Sequence, residues 1–336
     1  MKKLLIKLLL FISIIWMSLN SLFYLLRNYD TIYYNNENYN WIEHPSITPK
    51  VIIMGSSTAA FGLNPSIISK YTNYQEGEII SIANLAQTPL QAFHIWRKHL
   101  SKKRETALIF YVLDPWILTE RYYLNDNFTI MHWSLLQRLY FYLPGILIDP
   151  ITKKKIITGT VVQQVLTTIL DNLLKKENPR PETLQIPENF GAKINLNKLK
   201  KNNKPIDIRA WFEPFKLFPF SQLHLKSLKK LKDDIENSGG KFILVLPPYT
   251  KKLQEEYQKT CPDIERIFSE KLNQVMGPTK IIGSFKLIDT DKEEQYFADT
   301  VHLNQAGQQY FSKFLSLWIK NKDFGKPKKI QQLLSY

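Results

Sequence analysis

Ser57 lies directly after the apolar run Val51-Ile52-Ile53-Met54, in the turn Gly55-Ser56-Ser57. Far along the chain, Asp299-Thr300-Val301-His302 closes the last third just before an amphipathic stretch. A hydroxyl becomes a nucleophile when an imidazole takes its proton and a carboxylate holds that imidazole in the useful tautomer. Ser57, His302 and Asp299 are therefore the candidate nucleophile, base and orienting acid. Gly55 lets the chain turn sharply at a strand end, and the three-residue spacing puts Asp299 and His302 on one turn.

Five other histidines compete for the role of base. His94 and His99 share a helical stretch with Trp96 and Lys98 and read as structural or exposed, while His44 and His224 have no catalytic context. His132, beside Trp133, is the second candidate, but no carboxylate stands at a supporting spacing. The chain shows no phosphate-cradling glycine loop and no His/Asp/Glu cluster with metal-ligand spacing, so neither a cofactor nor a metal is expected. Cys261 is the only cysteine, which excludes intramolecular disulfides and cysteine-based metal clusters.

Three further segments accompany the triad: Asn84-Leu85-Ala86-Gln87, Leu113-Asp114-Pro115-Trp116 and Leu244-Val245-Leu246-Pro247-Pro248. With the Gly-x-Ser turn and the late Asp-x-x-His, they resemble the blocks of the SGNH (GDSL-like) hydrolase superfamily across roughly 50–115 and 240–320. Within it the chain looks most like the membrane-anchored envelope branch, the D-alanyl transfer proteins of teichoic-acid D-alanylation and the AlgJ/AlgX-like polysaccharide O-acetylation proteins. The resemblance implies an acyl-enzyme on Ser57, an oxyanion site among Gly55, Ser57, Asn84, Ala86, Gln87 and Asp114, and a membrane-bound O-acyltransferase as partner. Two positions depart from it. The second block lacks its oxyanion-hole glycine, and Asp114 stands where a hydrolase carries Asn. An ionised Asp only accepts hydrogen bonds and is a poor oxyanion donor. The N–H of Ser57, with a second from Ala86 or Gln87, then supplies the hole. Asn84 either donates through its side chain or orders the loop.

These residues need a scaffold that brings strand ends together. Strands are expected near Val51–Met54, Ile79–Ala83, Ala107–Leu113, Lys241–Leu246 and Lys286–Asp289, with helices over Pro89–Ser101, Ser221–Asn237 and Asn304–Ile319. Leu225, Leu228, Leu231 and Ile235 fall at helical spacing, Gly239-Gly240 ends their helix, and Asn304 is a suitable N-cap. Alternation of this kind predicts an α/β fold, a flavodoxin-like parallel sheet with helices on both faces, whose ligands bind beyond the carboxyl ends of the strands. The expected organisation is an anchor at 1–27, a stalk at 28–49, the α/β domain at 50–115 and 221–322, an insertion at 116–220 and a basic tail at 323–336. Aromatics dominate the insertion, which reads as mostly helical with a looser basic stretch over 177–205. They either form its own core or cover the catalytic edge as a lid.

The first residues, Met1-Lys2-Lys3-Leu4-Leu5-Ile6-Lys7, precede an apolar run from Leu8 to Leu26, about the 20 residues a helix needs to cross a bilayer. An uncleaved signal anchor is expected. The lysines before it keep the N-terminus cytoplasmic and place the remainder outside the membrane, as a cleaved signal would also do. A net charge of +15 fits anionic envelope polymer or lipid headgroups better than nucleic acid in that compartment. The same lysine runs also read as solvated faces. Two functions follow as expectations: a membrane-anchored extracytoplasmic serine O-acyltransferase or esterase acting on a cell-envelope glycopolymer from an acyl donor, or an inactive SGNH-like binding module that recruits such a partner.

Overall fold

In the computed structural model, the described residues are 39–102, 108–119, 186–194, 220–260, 262–288 and 293–321, the short strands 146–148 and 155–157, and helical positions between Ile6 and Ser21. Most of the apolar run 8–26, His132 with its neighbouring aromatics, Cys261 and the tail 323–336 lie outside them. Among the described residues, no helix is long and apolar enough to cross a membrane. Ile6, Leu10, Phe11, Ile14 and Met17 are helical and exposed.

The chain divides into two compact units, 1–38 with 123–178 and 39–122 with 179–336. In the first, Ile146–Ile148 pairs antiparallel with Lys155–Ile157, a ribbon inside an insertion expected to be mostly helical. The second carries the candidate site. Its strands are β1 (Val51–Gly55), β2 (Ile79–Ser81), β3 (Leu108–Val112), β4 (Lys241–Leu246) and β5 (Lys280–Gly283). All neighbours run parallel in the order β2-β1-β3-β4-β5, the order of flavodoxin-type sheets. Its helices are α1 (Ser57–Gly62), α2 (Pro65–Tyr71), α3 (Pro89–Ile95), α4 (Gln222–Asn237), α5 (Lys251–Thr260), α6 (Ile264–Met276), α7 (Glu293–Tyr296) and α8 (Gln305–Asn321).

The central strands are apolar along nearly their whole length, the exposed Lys241 at the start of β4 excepted, because both faces are covered. Val51, Ile53, Phe110, Val112, Ile243 and Val245 join one core cluster with Ala59 of α1, Leu63 at its C-cap, Ile68 of α2 and Phe311 and Leu315 of α8. The alternate residues, Ile52, Met54, Ile109, Tyr111, Phe242 and Leu244, are buried on the opposite side, where α3 meets β1 and α4 meets β4. Helix starts follow the local sequence. Asn64 caps α2 ahead of Pro65, Thr88 and Gln91 form a capping box on α3, and Ser221 caps α4.

Three expectations are corrected. The edge strand is Lys280–Gly283 rather than 286–289; Phe285, Leu287 and Ile288 are buried in the turn that follows it. The helix expected over 89–101 stops at Ile95 and continues as a wider π-type turn, Trp96–Leu100. The stalk does not extend to Pro49, because Tyr39, Trp41, Ile42 and Ile47 are buried in the α/β unit. Tyr39 donates to the Ile82 carbonyl, and Glu43 pairs with the buried His99 at 3.1 Å. His99 is thereby structural.

Candidate active site

Strand order reverses between β1 and β3, and the crevice beyond their carboxyl ends is where such sheets bind ligands. β1 ends in Gly55, whose φ of +136° brings its Cα face against β3. A Cβ there would sit 2.4 Å from the Val112 carbonyl oxygen. The chain then enters α1, with Ser56 as N-cap and Ser57 as the first helical residue. Ser56 and Thr58 are buried, whereas Ser57 is partly open to solvent.

The structure brings Ser57, His302 and Asp299 together across 245 residues of sequence. Ser57 Oγ is 2.7 Å from His302 Nε2, and His302 Nδ1 is 2.7 Å from Asp299 Oδ2. Asp299 Oδ1 accepts from the N–H groups of Val301 and His302 at 3.0 and 2.8 Å, so the carboxylate is fixed by its own loop. The His302 carbonyl accepts from Ala298, closing that loop from the other side. Below it, Asn304 caps α8 by accepting from the Gly307 N–H at 3.0 Å. The edge of Phe61 meets the His302 ring at 5.4 Å and 73°. Partial burial pushes the Asp299 carboxyl up, but the hydrogen bonds and charge of His302 and the two backbone donors outweigh it and hold Asp299 below the usual carboxylate range. Asp299 is thus ionised at neutral pH and able to hold the proton on His302 Nδ1.

The oxyanion candidates separate by what their donors already do. The N–H of Ser57, first in its helix, and that of Ala86 make no hydrogen bond among the described residues. Ala86 adopts a φ of +53°, a left-handed conformation more usual for glycine. The Gln87 N–H is already used: it donates to the Asn84 carbonyl, while the buried side chain donates to the Ile82 carbonyl and accepts from Gly55 through Oε1. Asn84 follows β2, and its N–H donates to the Gly55 carbonyl. Its Oδ1 accepts from Leu85 N–H at 2.6 Å and from Lys193 Nζ at 3.3 Å, which assigns that side of the amide as oxygen and leaves the NH2 as the donor.

Asp114 is removed from the oxyanion set. Its side chain is fully buried, and it faces hydroxyl groups rather than the crevice. Oδ2 accepts from Ser56 Oγ and, at 2.6 Å, from Thr58 Oγ1; Oδ1 accepts from the Tyr249 hydroxyl at 2.7 Å. Burial raises its pKa, against the opposing pull of those three donors.

Sequence reasoning missed Ser56, Thr58, Tyr249 and Lys193. Lys193 belongs to a segment of the insertion that docks on the catalytic edge. Its N–H donates to Ala60, and its carbonyl accepts from Gln308. The preceding Gly191 approaches so closely that a Cβ would lie 2.1 Å from the Ser81 carbonyl oxygen. A glycine inside a basic stretch was the available signal. Among the described residues no group of His, Cys, Asp or Glu is arranged to hold a metal. No family model matches the chain, and no curated protein matches it.

Proposed function

We propose that the chain is a membrane-anchored, extracytoplasmic serine O-acyltransferase or esterase of the SGNH type that acts on a cell-envelope glycopolymer. The observation that carries the chemistry is the continuous pair of 2.7 Å contacts from Ser57 through His302 to Asp299 at the switch point of the sheet. Ser57 Oγ attacks the carbonyl carbon of an ester or thioester while His302 Nε2 takes its proton. His302 then gives that proton to the leaving group as the bond to it breaks. An acceptor hydroxyl loses its proton to His302 and attacks the Ser57 ester, which releases the acylated product and restores the serine. The free N–H groups of Ser57 and Ala86 are the donors for the charge on the acyl oxygen.

The polymer, the acyl donor and a membrane-bound O-acyltransferase partner rest on the family resemblance, the apolar N-terminal run and the net charge of +15. The test is envelope-bound ester in cells that carry Ser57→Ala in place of the wild-type chain, together with ester turnover by the purified protein. Loss of both supports an acyl-enzyme. Wild-type ester content in Ser57→Ala cells would favour the binding-module reading.

A further inference from the structure

The two halves of the candidate site come from loops at opposite ends of the chain, and a second set of buried groups joins them. Ser56 and Thr58 flank the nucleophile, and both donate to Oδ2 of Asp114, so the carboxylate grips the turn on each side of Ser57. Oδ1 of the same carboxylate accepts from Tyr249, in the loop after β4. Tyr249 is itself fixed. Its N–H donates to Phe285, its carbonyl accepts from Gln254, and its ring stacks on Phe285 at 4.5 Å. The next residue, Thr250, donates from its hydroxyl at 2.9 Å and its N–H at 3.4 Å to the carbonyl of Thr300, which lies between Asp299 and His302.

We infer that Asp114 is a positioning residue: with Thr58, Tyr249 and Thr250 it forms a buried frame that sets the separation of Ser57 Oγ and His302 Nε2. The frame is built for that task. Ser56, Thr58, Asp114, Tyr249, Thr250 and Thr300 are all at most 3 % exposed, so none of these bonds competes with solvent. Burial keeps the Tyr249 phenol far from ionising, which preserves it as a donor to the carboxylate. The direct Ser57–His302 contact is one hydrogen bond between partly exposed groups. By itself it would not hold two loops in register against an incoming substrate. Placement of a reacting atom is worth about a hundredfold in rate for a 1 Å error.

This inference rests on the acyl-enzyme reading, and its test separates the two. Full-length wild type, Thr58→Val, Thr58→Ser, Tyr249→Phe and Asp114→Asn are compared for the maximal rate and the half-saturating concentration of fluorophosphonate labelling, with thermal unfolding alongside. Thr58→Val and Tyr249→Phe each remove one hydroxyl at nearly constant shape, so they carry the test even if Asp114→Asn does not fold. Ser56→Ala is not used, because Ser56 also caps α1 by accepting from Thr58 N–H. The frame predicts that Thr58→Val and Tyr249→Phe lower the maximal rate by about 10- to 100-fold, at unchanged half-saturation and an unfolded fraction no greater than wild type. Thr58→Ser restores most of the rate. A wild type labelled at Ser57, with folded variants labelled equally fast, would overturn the frame. A folded wild type that takes no label would instead overturn the acyl-enzyme reading beneath it.

Discussion

Asp299→Asn changes one atom and separates an orienting carboxylate from a loop brace. In the structure Asp299 Oδ1 accepts two backbone N–H groups, and Oδ2 faces His302 Nδ1 at 2.7 Å. An asparagine keeps its carbonyl oxygen on the two backbone donors and presents its NH2 to Nδ1. That nitrogen must then act as acceptor, so the ring proton moves to Nε2, 2.7 Å from Ser57 Oγ. His302 donates to the serine instead of accepting from it, and the base is lost. A fully enclosed triad loses about 10⁴ in rate on this change, or about 5.5 kcal/mol of barrier. The Asp299 side chain is 49 % exposed, so water competes for Nδ1 and the loss should sit nearer 10³, about 4 kcal/mol. The assay is the second-order rate of fluorophosphonate labelling at neutral pH, with denaturant unfolding to show that the loop survives. A folded Asp299→Asn protein labelled within tenfold of wild type would refute the orienting role.

Three further outcomes follow from named contacts. Lys193→Met removes the ammonium that holds Asn84 Oδ1, and should lower ester turnover about tenfold, with partial recovery in Lys193→Arg, measured by steady-state kinetics. Gly55→Ala puts a methyl 2.4 Å from the Val112 carbonyl at a φ of +136°, and should destabilise the domain by at least about 3 kcal/mol in denaturant titration. Burial pushes His224 down to about 3, whereas an unfolded histidine titrates near ~6.5. The unfolded chain therefore binds the extra proton first, and stability falls as pH drops from ~6.5 toward about 3. His224→Leu should flatten that slope by one proton in denaturant midpoints taken across the interval.

The parts of the site that follow strand ends were legible, because a parallel sheet buried on both faces writes its strands as unbroken apolar runs. Val51–Gly55 is such a run, and so is 242–246 after the exposed Lys241. Asp299 and His302 were legible as a local pair, since a three-residue spacing needs no tertiary knowledge. What escaped depends on burial and long-range contact. Lys280–Gly283 is a short edge strand with an exposed first lysine, while the stronger apolar signal at Phe285, Leu287 and Ile288 reports burial without a ladder. Tyr39 and Trp41 sit in a polar, tyrosine-rich stretch that reads as a stalk, yet the Tyr39 hydroxyl finds the Ile82 carbonyl and the ring goes inside. Asp114 carries no sign in sequence of which way it faces; its three donors come from positions 56, 58 and 249. Lys193 meets Asn84 across 109 residues, from a basic segment that looked like solvated surface.

In the proposed reaction Ser57 becomes acylated with His302 as its base. Intact-protein and peptide mass spectrometry after brief exposure to a fluorophosphonate tests it without knowledge of the natural substrate. The expected result is one adduct per wild-type chain, located on the peptide carrying Ser57, with none in folded Ser57→Ala and a strongly reduced yield in folded His302→Ala. Folded wild type that gains no adduct, or gains one at a different residue while Ser57 stays unmodified, would contradict it.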